Sequence, residues 1–284
     1  MAHKPSRELP QTQEERRLYL IRHFMAENNQ FSGDGDRIPS DEVGQRRVLR
    51  GFMNVRPPRP ASADVLAVQD AYLQELQYER GVTAIEALLP VRDGMYVWMG
   101  DPTTLAVDAL VNAADPTLLG CFTPLHDCVD NLVHTYAGIQ LRLECASIVN
   151  RQGHQEPVGH AQVTAGYNLP ARHVIHTVGP VLRGENPTPL ETADLTSCYR
   201  ACMDAATELG LRNIAFPPIA RGTGGFPAEV AARIAVGTVR RYRAEHEDAP
   251  EALFVVFSEA DHALFRDLIA NRREQQPEAA PAGR

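Results

Sequence analysis

The sequence predicts an α/β fold in which a mixed, mostly parallel sheet lies between helices, preceded by a helical N-terminal extension. Three observations carry that expectation. From about residue 94 onward, short apolar runs alternate with longer helical stretches, the pattern of parallel strands joined by helical crossovers. Marked loops follow three of those runs: GDPTT from Gly100, NAAD through HDC from Asn112, and ARGTGGFP from Ala220. Sheets of this kind bind ligands beyond the carboxyl ends of their strands. The first 90 residues, by contrast, carry helical spacing and loops.

Taken in order, residues 14–28 place Leu18, Leu20, Ile21 and Phe24 among charges at amphipathic helical spacing. Residues 31–40, with Gly33, Gly35 and Pro39, read as a loop. Asp41 fits the N-cap of a helix running to about Phe52, and NVRPPRP at 54–60 stops it, because consecutive prolines remove donors and fix φ. Ser62 caps the next helix, which sets Val65, Leu66, Val68, Tyr72, Leu73 and Leu76 on one side through Tyr78. Strands are expected in MYVWM from Met95, DALVNAAD from Asp108, HVIHTVGP at 173–180, NIAFPPIA at 213–220 and LFVVFSE at 253–259. Helices are expected over 129–148, 195–209, 227–246 and 261–272. The last residues are polar and rich in Pro and Ala, a composition that does not form a core. The chain thus divides into an extension at 1–90, an α/β body at 91–272 and a disordered tail at 273–284.

Composition narrows the function classes. The formal charge is 28 − 36 = −8, which argues against a nucleic-acid partner, since such proteins present a basic face. A small anion is compatible with that charge, because backbone amides hold phosphates without basic side chains. Lys4 is the only lysine, so the body has no Schiff-base lysine and no phosphate-loop GK[ST] motif. No run approaches the ~18 apolar residues of a membrane span, and the N-terminus lacks a signal-peptide core; the expected location is the cytoplasm. Five cysteines at irregular spacing fit free or metal-bound thiols better than a disulfide framework.

Cys121, His126 and Cys128 form C-x4-H-x-C, two thiols and an imidazole suited to zinc. Three ligands leave a tetrahedral ion one open position, as in catalytic sites. A fourth protein ligand would make the site structural, and buried thiols beside a loop histidine would bind nothing. Asp130 follows two residues later at the start of a helix. It either caps that helix and meets its dipole, or serves as a general base beside a polarised hydroxyl or water. GTGGFP at 222–227 lies between an apolar run and a helix, where glycine amides and the helix dipole suit a phosphate. Cys145, Cys198 and Cys202 read as core thiols, and His134 as a packed helix residue. Arg56 and Arg59 either anchor the extension on the acidic body or reach an anionic ligand or partner.

The residues VNAAD, LLG, VDN and HTYAG, in that order, resemble the core signature of the macrodomain family, whose members bind or hydrolyse ADP-ribose. The cysteines and histidine resemble its zinc-containing branch, and NVRPPRP followed by a helix resembles the N-terminal extension of that branch. The resemblance spans residues 95–272 plus the extension and implies a macrodomain-type three-layer sandwich. It implies that Asp101 accepts from the adenine amine, with Pro102 lacking the N–H that position would offer. It places Asn112, Asp115 and Asn131 in the ligand site, although holding loop backbone explains Asn112 equally, and Gly222, Thr223, Gly224 and Gly225 on the diphosphate. Phe226 matches an aromatic that supports the distal ribose, although a helix staple explains it equally. Val129, Asp130, Val133 and His134 match V-D-x-x-[IV]-H, in which the aspartate is tied to water activation.

The chain also departs from the pattern. Asp115 stands where asparagine is common, and Arg221 and Gly224 stand where a small hydroxyl residue and an aromatic or acidic residue are often found. Arg221 is expected on a phosphate or on Asp115. The function implied is a hydrolase with one Zn²⁺ per chain that removes mono-ADP-ribose from modified protein side chains, Asp- or Glu-linked. Its partners are ADP-ribose and mono-ADP-ribosylated protein. A reader that binds ADP-ribose without turnover, and a structural zinc module, are the alternatives.

Overall fold

A computed structural model of the chain describes residues 9–27, 38–222 and 224–271. Lys4, Asn28, most of the loop at 31–40, Thr223, Arg272 and the tail at 273–284 lie outside the described residues. In chain order the elements are α1 (Gln13–Glu27), α2 (Glu42–Val55), α3 (Ala63–Arg80), β1 (Thr83–Ala84), β2 (Met95–Met99), β3 (Leu105–Ala106), β4 (Ala109–Ala114), α4 (Val129–Ala137), α5 (Ile139–Gln152), β5 (Ala161–Ala165), β6 (His173–Val178), α6 (Pro189–Glu208), β7 (Asn213–Phe216), α7 (Ala228–Glu245), β8 (Glu251–Val256) and α8 (Glu259–Ala270).

The main sheet has the order β2-β8-β7-β4-β6-β5. Every neighbouring pair is parallel except β5, which runs antiparallel to β6 at the edge. Strand side chains alternate between two buried faces. Val111, Ile175, Ile214, Phe216 and Phe254 face Tyr199 of α6, Val236 of α7 and Phe265 of α8. Leu110, Val174, Ala215, Leu253 and Val255 face Val133 of α4 and Leu141 and Cys145 of α5. Both faces are covered, which is why these strands read as continuous apolar runs. Cys145, Cys198 and Cys202 are core thiols, as expected.

Edge strand β5 escapes sequence reading because AQVTA is short and half polar. It is pinned by Thr164, whose hydroxyl lies 2.9 Å from His176 Nε2 on β6. Helix α6 begins six residues before the expected start because Thr188 and Glu191 form a reciprocal capping box with Pro189 in the first turn.

The extension has its own core. Leu20, Ile21 and Phe24 of α1, Leu49, Phe52 and Met53 of α2, and Val65, Val68, Tyr72 and Leu73 of α3 bury one another and Ile139 of α5. Asp41 caps α2 by accepting from Gly44 N, and Ser62 caps α3 by accepting from Val65 N. Both expected uses of Arg56 are corrected. Its Nε and Nη2 donate to Glu27 at 2.7 and 2.9 Å and its Nη1 to the Arg59 carbonyl at 2.8 Å, so it ties the extension to itself.

The single helix expected over 129–148 is two helices. Gly138 breaks it at φ 102, ψ 173, a region open essentially to glycine alone. Gln69 of α3 lies against the break: its Oε1 accepts from Ile139 N at 3.0 Å, and a Cβ at Gly138 would lie 2.6 Å from its Nε2. The periodicity of the apolar residues carries through this glycine, so the sequence pattern conceals the break.

Gly138→Ala is therefore expected to lower unfolding free energy by about 1–3 kcal/mol; a urea midpoint shift worth less than about 0.5 kcal/mol would show that the backbone there relaxes freely. The second test concerns pH. Burial holds His176 down to about 3 from the ordinary 6.5. Between those values the unfolded chain takes up a proton at this residue that the folded chain refuses. Stability should thus fall as pH drops below about 6.5, by about 1.4 kcal/mol per pH unit for this group. Urea unfolding at several pH values should show a shallower slope in His176→Gln, and identical slopes would contradict the assignment.

Candidate functional site

Strands β2, β8, β7, β4 and β6 run parallel, so the loops that follow β2, β4 and β7 emerge from one edge of the sheet. Those are the three loops marked in the sequence. The β4–α4 loop brings Cys121, His126 and Cys128 together, with their ligand atoms within 4.8 Å of one another. Cys121 Sγ lies 3.4 Å from His126 Nδ1. Cys128 is the N-cap of α4, and its sulfur accepts from Asn131 N at 3.4 Å. Burial pushes the Cys128 thiol up to about 11, the Asn131 amide opposes this, and neighbouring Cys121 adds to it. Crowded thiols of this kind ionise readily only when a cation offsets their charge.

A second group, His134, Cys145 and His176, also brings its donor atoms within 4.8 Å of one another, wholly inside the core. The described residues thus include two donor sets that could hold a metal ion.

Asp130 occupies the first turn of α4 and is buried. Asn112, the register partner of His176 across β4 and β6, donates from Nδ2 to Asp130 Oδ1 at 2.8 Å and lies 3.2 Å from His176 Nδ1. With His176 neutral, its Nδ1 accepts from Asn112 and its Nε2–H donates to Thr164. A buried polar seam therefore runs from the edge strand to the Asp130 carboxylate. Burial raises Asp130 to about 6 against the pull of the Asn112 amide. His134 Nε2 lies 3.7 Å from Asp130 Oδ1, beyond hydrogen-bond range. Burial, with His176 nearby, holds the His134 imidazole neutral. As expected, His134 packs in its helix.

The remaining candidates fall at the same sheet edge with varied partners. Asp101 caps the turn Pro102–Thr104 by accepting from Thr103 N at 2.9 Å. Its other oxygen takes Arg80, the last residue of α3, whose guanidinium stacks 3.6 Å from the Tyr136 ring centroid. Pro102 is buried in that turn. Asp115 is exposed and accepts from Thr117 N at 2.7 Å. Arg221 pairs with Asp261 of α8 at 3.2 Å, which corrects the expected pairing with Asp115.

The 222–226 loop is folded on itself: Gly225 N donates to the Gly222 carbonyl and Phe226 N to the Ala220 carbonyl, at 3.2 and 3.0 Å. A Cβ at Gly224 would sit 2.5 Å from Ala220 Cα, so the larger residue often found there does not fit this turn. Among the described residues, the N–H groups of Gly222 and Gly224 carry no such internal bond. Phe226 is buried in the core with α7.

Asn131 is fully buried, and its amide donates to the carbonyls of Cys121 and Thr123 at 3.2 and 3.0 Å. Arg142 of α5, also buried, donates to the Leu119 carbonyl at 2.6 Å and the Met53 carbonyl at 3.1 Å. Sequence reasoning missed Arg142, His176, Arg80 and two further residues of α2, Arg50 and Asn54. Only His176 left a trace, a polar residue within an apolar strand run. Arg50, Arg80 and Arg142 sit among charges on amphipathic helices and read as solvated faces, and Asn54 reads as the start of the run that stops the helix.

Residues 111–235 match the family model of the Macro domain. A relative from Treponema medium named Protein-ADP-ribose hydrolase is 45% identical over 263 residues, covering 91% of this chain and 100% of the relative. A Staphylococcus aureus protein of the same name is 43% identical over 252 residues, 88% of this chain and 94% of its own. Among solved structures, a Trypanosoma brucei macrodomain in complex with ADP-ribose superposes with a TM-score of 0.60 at 29% identity, covering 77% of this chain and 94% of that one. The likeness to the two hydrolases reaches beyond the matched domain into the helical extension, and on this evidence the chain belongs to the macrodomain family.

Proposed function

We propose that this chain is a zinc-dependent hydrolase that removes mono-ADP-ribose from modified protein side chains, with aspartate- or glutamate-linked ADP-ribose as the substrate class. The observation that carries the reading is the convergence of two thiols and an imidazole within 4.8 Å, beside the helix start that bears Asp130. The names of the full-length relatives support it.

Of the two donor sets, Cys121, His126 and Cys128 suit the ion better. They lie on a loop at the ligand edge of the sheet and are partly or fully exposed. In the buried set, by contrast, both nitrogens of His176 already have partners. Zinc held by Cys121, His126 and Cys128 would supply a Lewis acid for a ribose hydroxyl or water.

The rest of the chemistry belongs to the chain. Asp130 accepts the proton released as the nucleophile forms. Its carboxylate is ionised at neutral pH yet more basic than an exposed one, because burial raises it to about 6. Asn112 holds one of its oxygens, leaving the carboxylate in a fixed orientation. Asp101 accepts from the adenine amine, sharing its charge with Arg80. The amides of Gly222 and Gly224, which carry no backbone bond among the described residues, meet the diphosphate together with the N-terminus of α7. Asp115 and the buried Asn131 frame the distal-ribose end, Asn131 by ordering the loop rather than by direct contact.

A reader without turnover is the second reading. It draws on Asp115, an acceptor-only anion that takes the Thr117 amide where an asparagine could also donate.

Two measurements test the reading. Purified protein should carry about one zinc per chain by elemental analysis, and Cys121→Ala should lose it; zinc retained in that variant would remove the ligand assignment. Asp130→Asn, which keeps an acceptor for Asn112, should slow ADP-ribose release from an ester-linked modified protein by about 10²–10⁴-fold while calorimetry still detects ADP-ribose binding. Undiminished release would remove Asp130 from the chemistry, and binding without release in the unaltered chain would favour the reader.

A further inference from the structure

The loop from Cys121 to Cys128, CFTPLHDC, has little structure of its own: its one internal backbone bond runs from His126 N to the Thr123 carbonyl at 3.2 Å. Leu125, just before His126, sits at φ 59, which is uncommon for a residue with a side chain. Helix α2 of the extension holds this segment on both sides of His126. Asn54 Oδ1 accepts from Leu125 N at 2.9 Å, and Arg50 Nη2 donates to the His126 carbonyl at 2.7 Å. Arg50 and Asn54 are four residues apart and so share one face of α2.

Both residues are tied in turn to α4. The same Arg50 nitrogen donates to Asn131 Oδ1 at 3.0 Å, and the Asn131 amide holds the Cys121 and Thr123 carbonyls. Asn54, itself 1% exposed, donates from Nδ2 to Thr135 Oγ1 at 2.9 Å. Arg142 closes the arrangement by bonding the Leu119 carbonyl, ahead of the loop, and the Met53 carbonyl in α2. The backbone flanking Cys121 and His126 is therefore held by side chains of α4 and α5 together with Arg50 and Asn54 of the extension.

We propose that Arg50 and Asn54 are positioning residues for the metal, so that the N-terminal extension is a working part of the zinc site. This rests on the reading that Cys121, His126 and Cys128 hold zinc. A loop free to wander must be ordered when three donors close on an ion, and bonds that order it beforehand remove that cost from binding. Groups that orient ligands in this way typically change metal affinity 10–100-fold when removed.

The experiment compares full-length variants by zinc competition with a chromophoric chelator, alongside thermal melting and far-UV circular dichroism in excess chelator. Arg50→Met keeps the aliphatic packing and removes the donors. It should weaken zinc by about 10–100-fold while the metal-free melting temperature moves by only a few degrees. Arg50→Lys should recover part of the affinity. Arg46→Met, on the same helix as Arg50, breaks the surface pairs with Glu42 and with Glu79 of α3 and should bind zinc as the parent does. Should Arg50→Met fail to fold, Arg50→Gln makes the same test with a smaller change.

Unaltered zinc affinity in the Arg50 variants, or a loss shared equally by Arg46→Met, would overturn the proposal. Cys121→Ala separates the two levels. If it loses zinc while the Arg50 variants do not, only this inference fails. If it keeps zinc, the ligand reading fails and this inference fails with it.

Discussion

One hydrogen bond joins the sheet to the site: the Asn112 amide, on a central strand, donates to the Asp130 carboxylate in the first turn of α4. A carboxylate this deeply buried is costly unless a donor meets it, and Asn112 is itself fixed by its register opposite His176. The chain of contacts continues to Thr164 on the edge strand. Moving any of these residues disturbs the orientation of Asp130 relative to the donor loop that precedes it. The polar seam thus ties the precision of a loop site to the rigidity of the sheet.

The parts of the fold that could be read from sequence were those in which one physical signal dominated. Strands β4, β6, β7 and β8 are buried on both faces and announce themselves as apolar runs, and Asp41 and Ser62 mark helix starts because their side chains satisfy amides that nothing else reaches. Where two signals compete, the reading misses. Gly138 interrupts an unbroken apolar periodicity because Gln69, 69 residues earlier in the chain, occupies the break. Strand β5 is too short and too polar to stand out; it pairs antiparallel with β6, and Thr164 on it meets His176.

The site divides in the same way. Local spacing put Cys121, His126, Cys128 and Asp130 in one place, since eight residues of loop followed by a helix start cannot carry them far apart. What the sequence concealed is long-range. Arg50, Asn54 and Arg142 matter because α2 and α5 pack on that loop, and no local pattern separates them from solvated helix faces. The extension also reaches the opposite end of the ligand edge, where Arg80 meets Asp101 and stacks on Tyr136. Its three helices have a core of their own, yet some of their polar side chains reach the α/β body, Arg50 and Asn54 at the donor loop and Arg80 at Asp101.

The distribution of sulfur has a practical consequence. Cys145, Cys198 and Cys202 are sealed in the core, while Cys121 and Cys128 are the two partly exposed thiols. An alkylating reagent applied to the folded protein would therefore reach only the donor loop, with Cys128 slower because its thiol gives up its proton reluctantly. Counting modified sulfurs by mass spectrometry, with and without metal, would then report occupancy directly, using the protein's own chemistry as the probe.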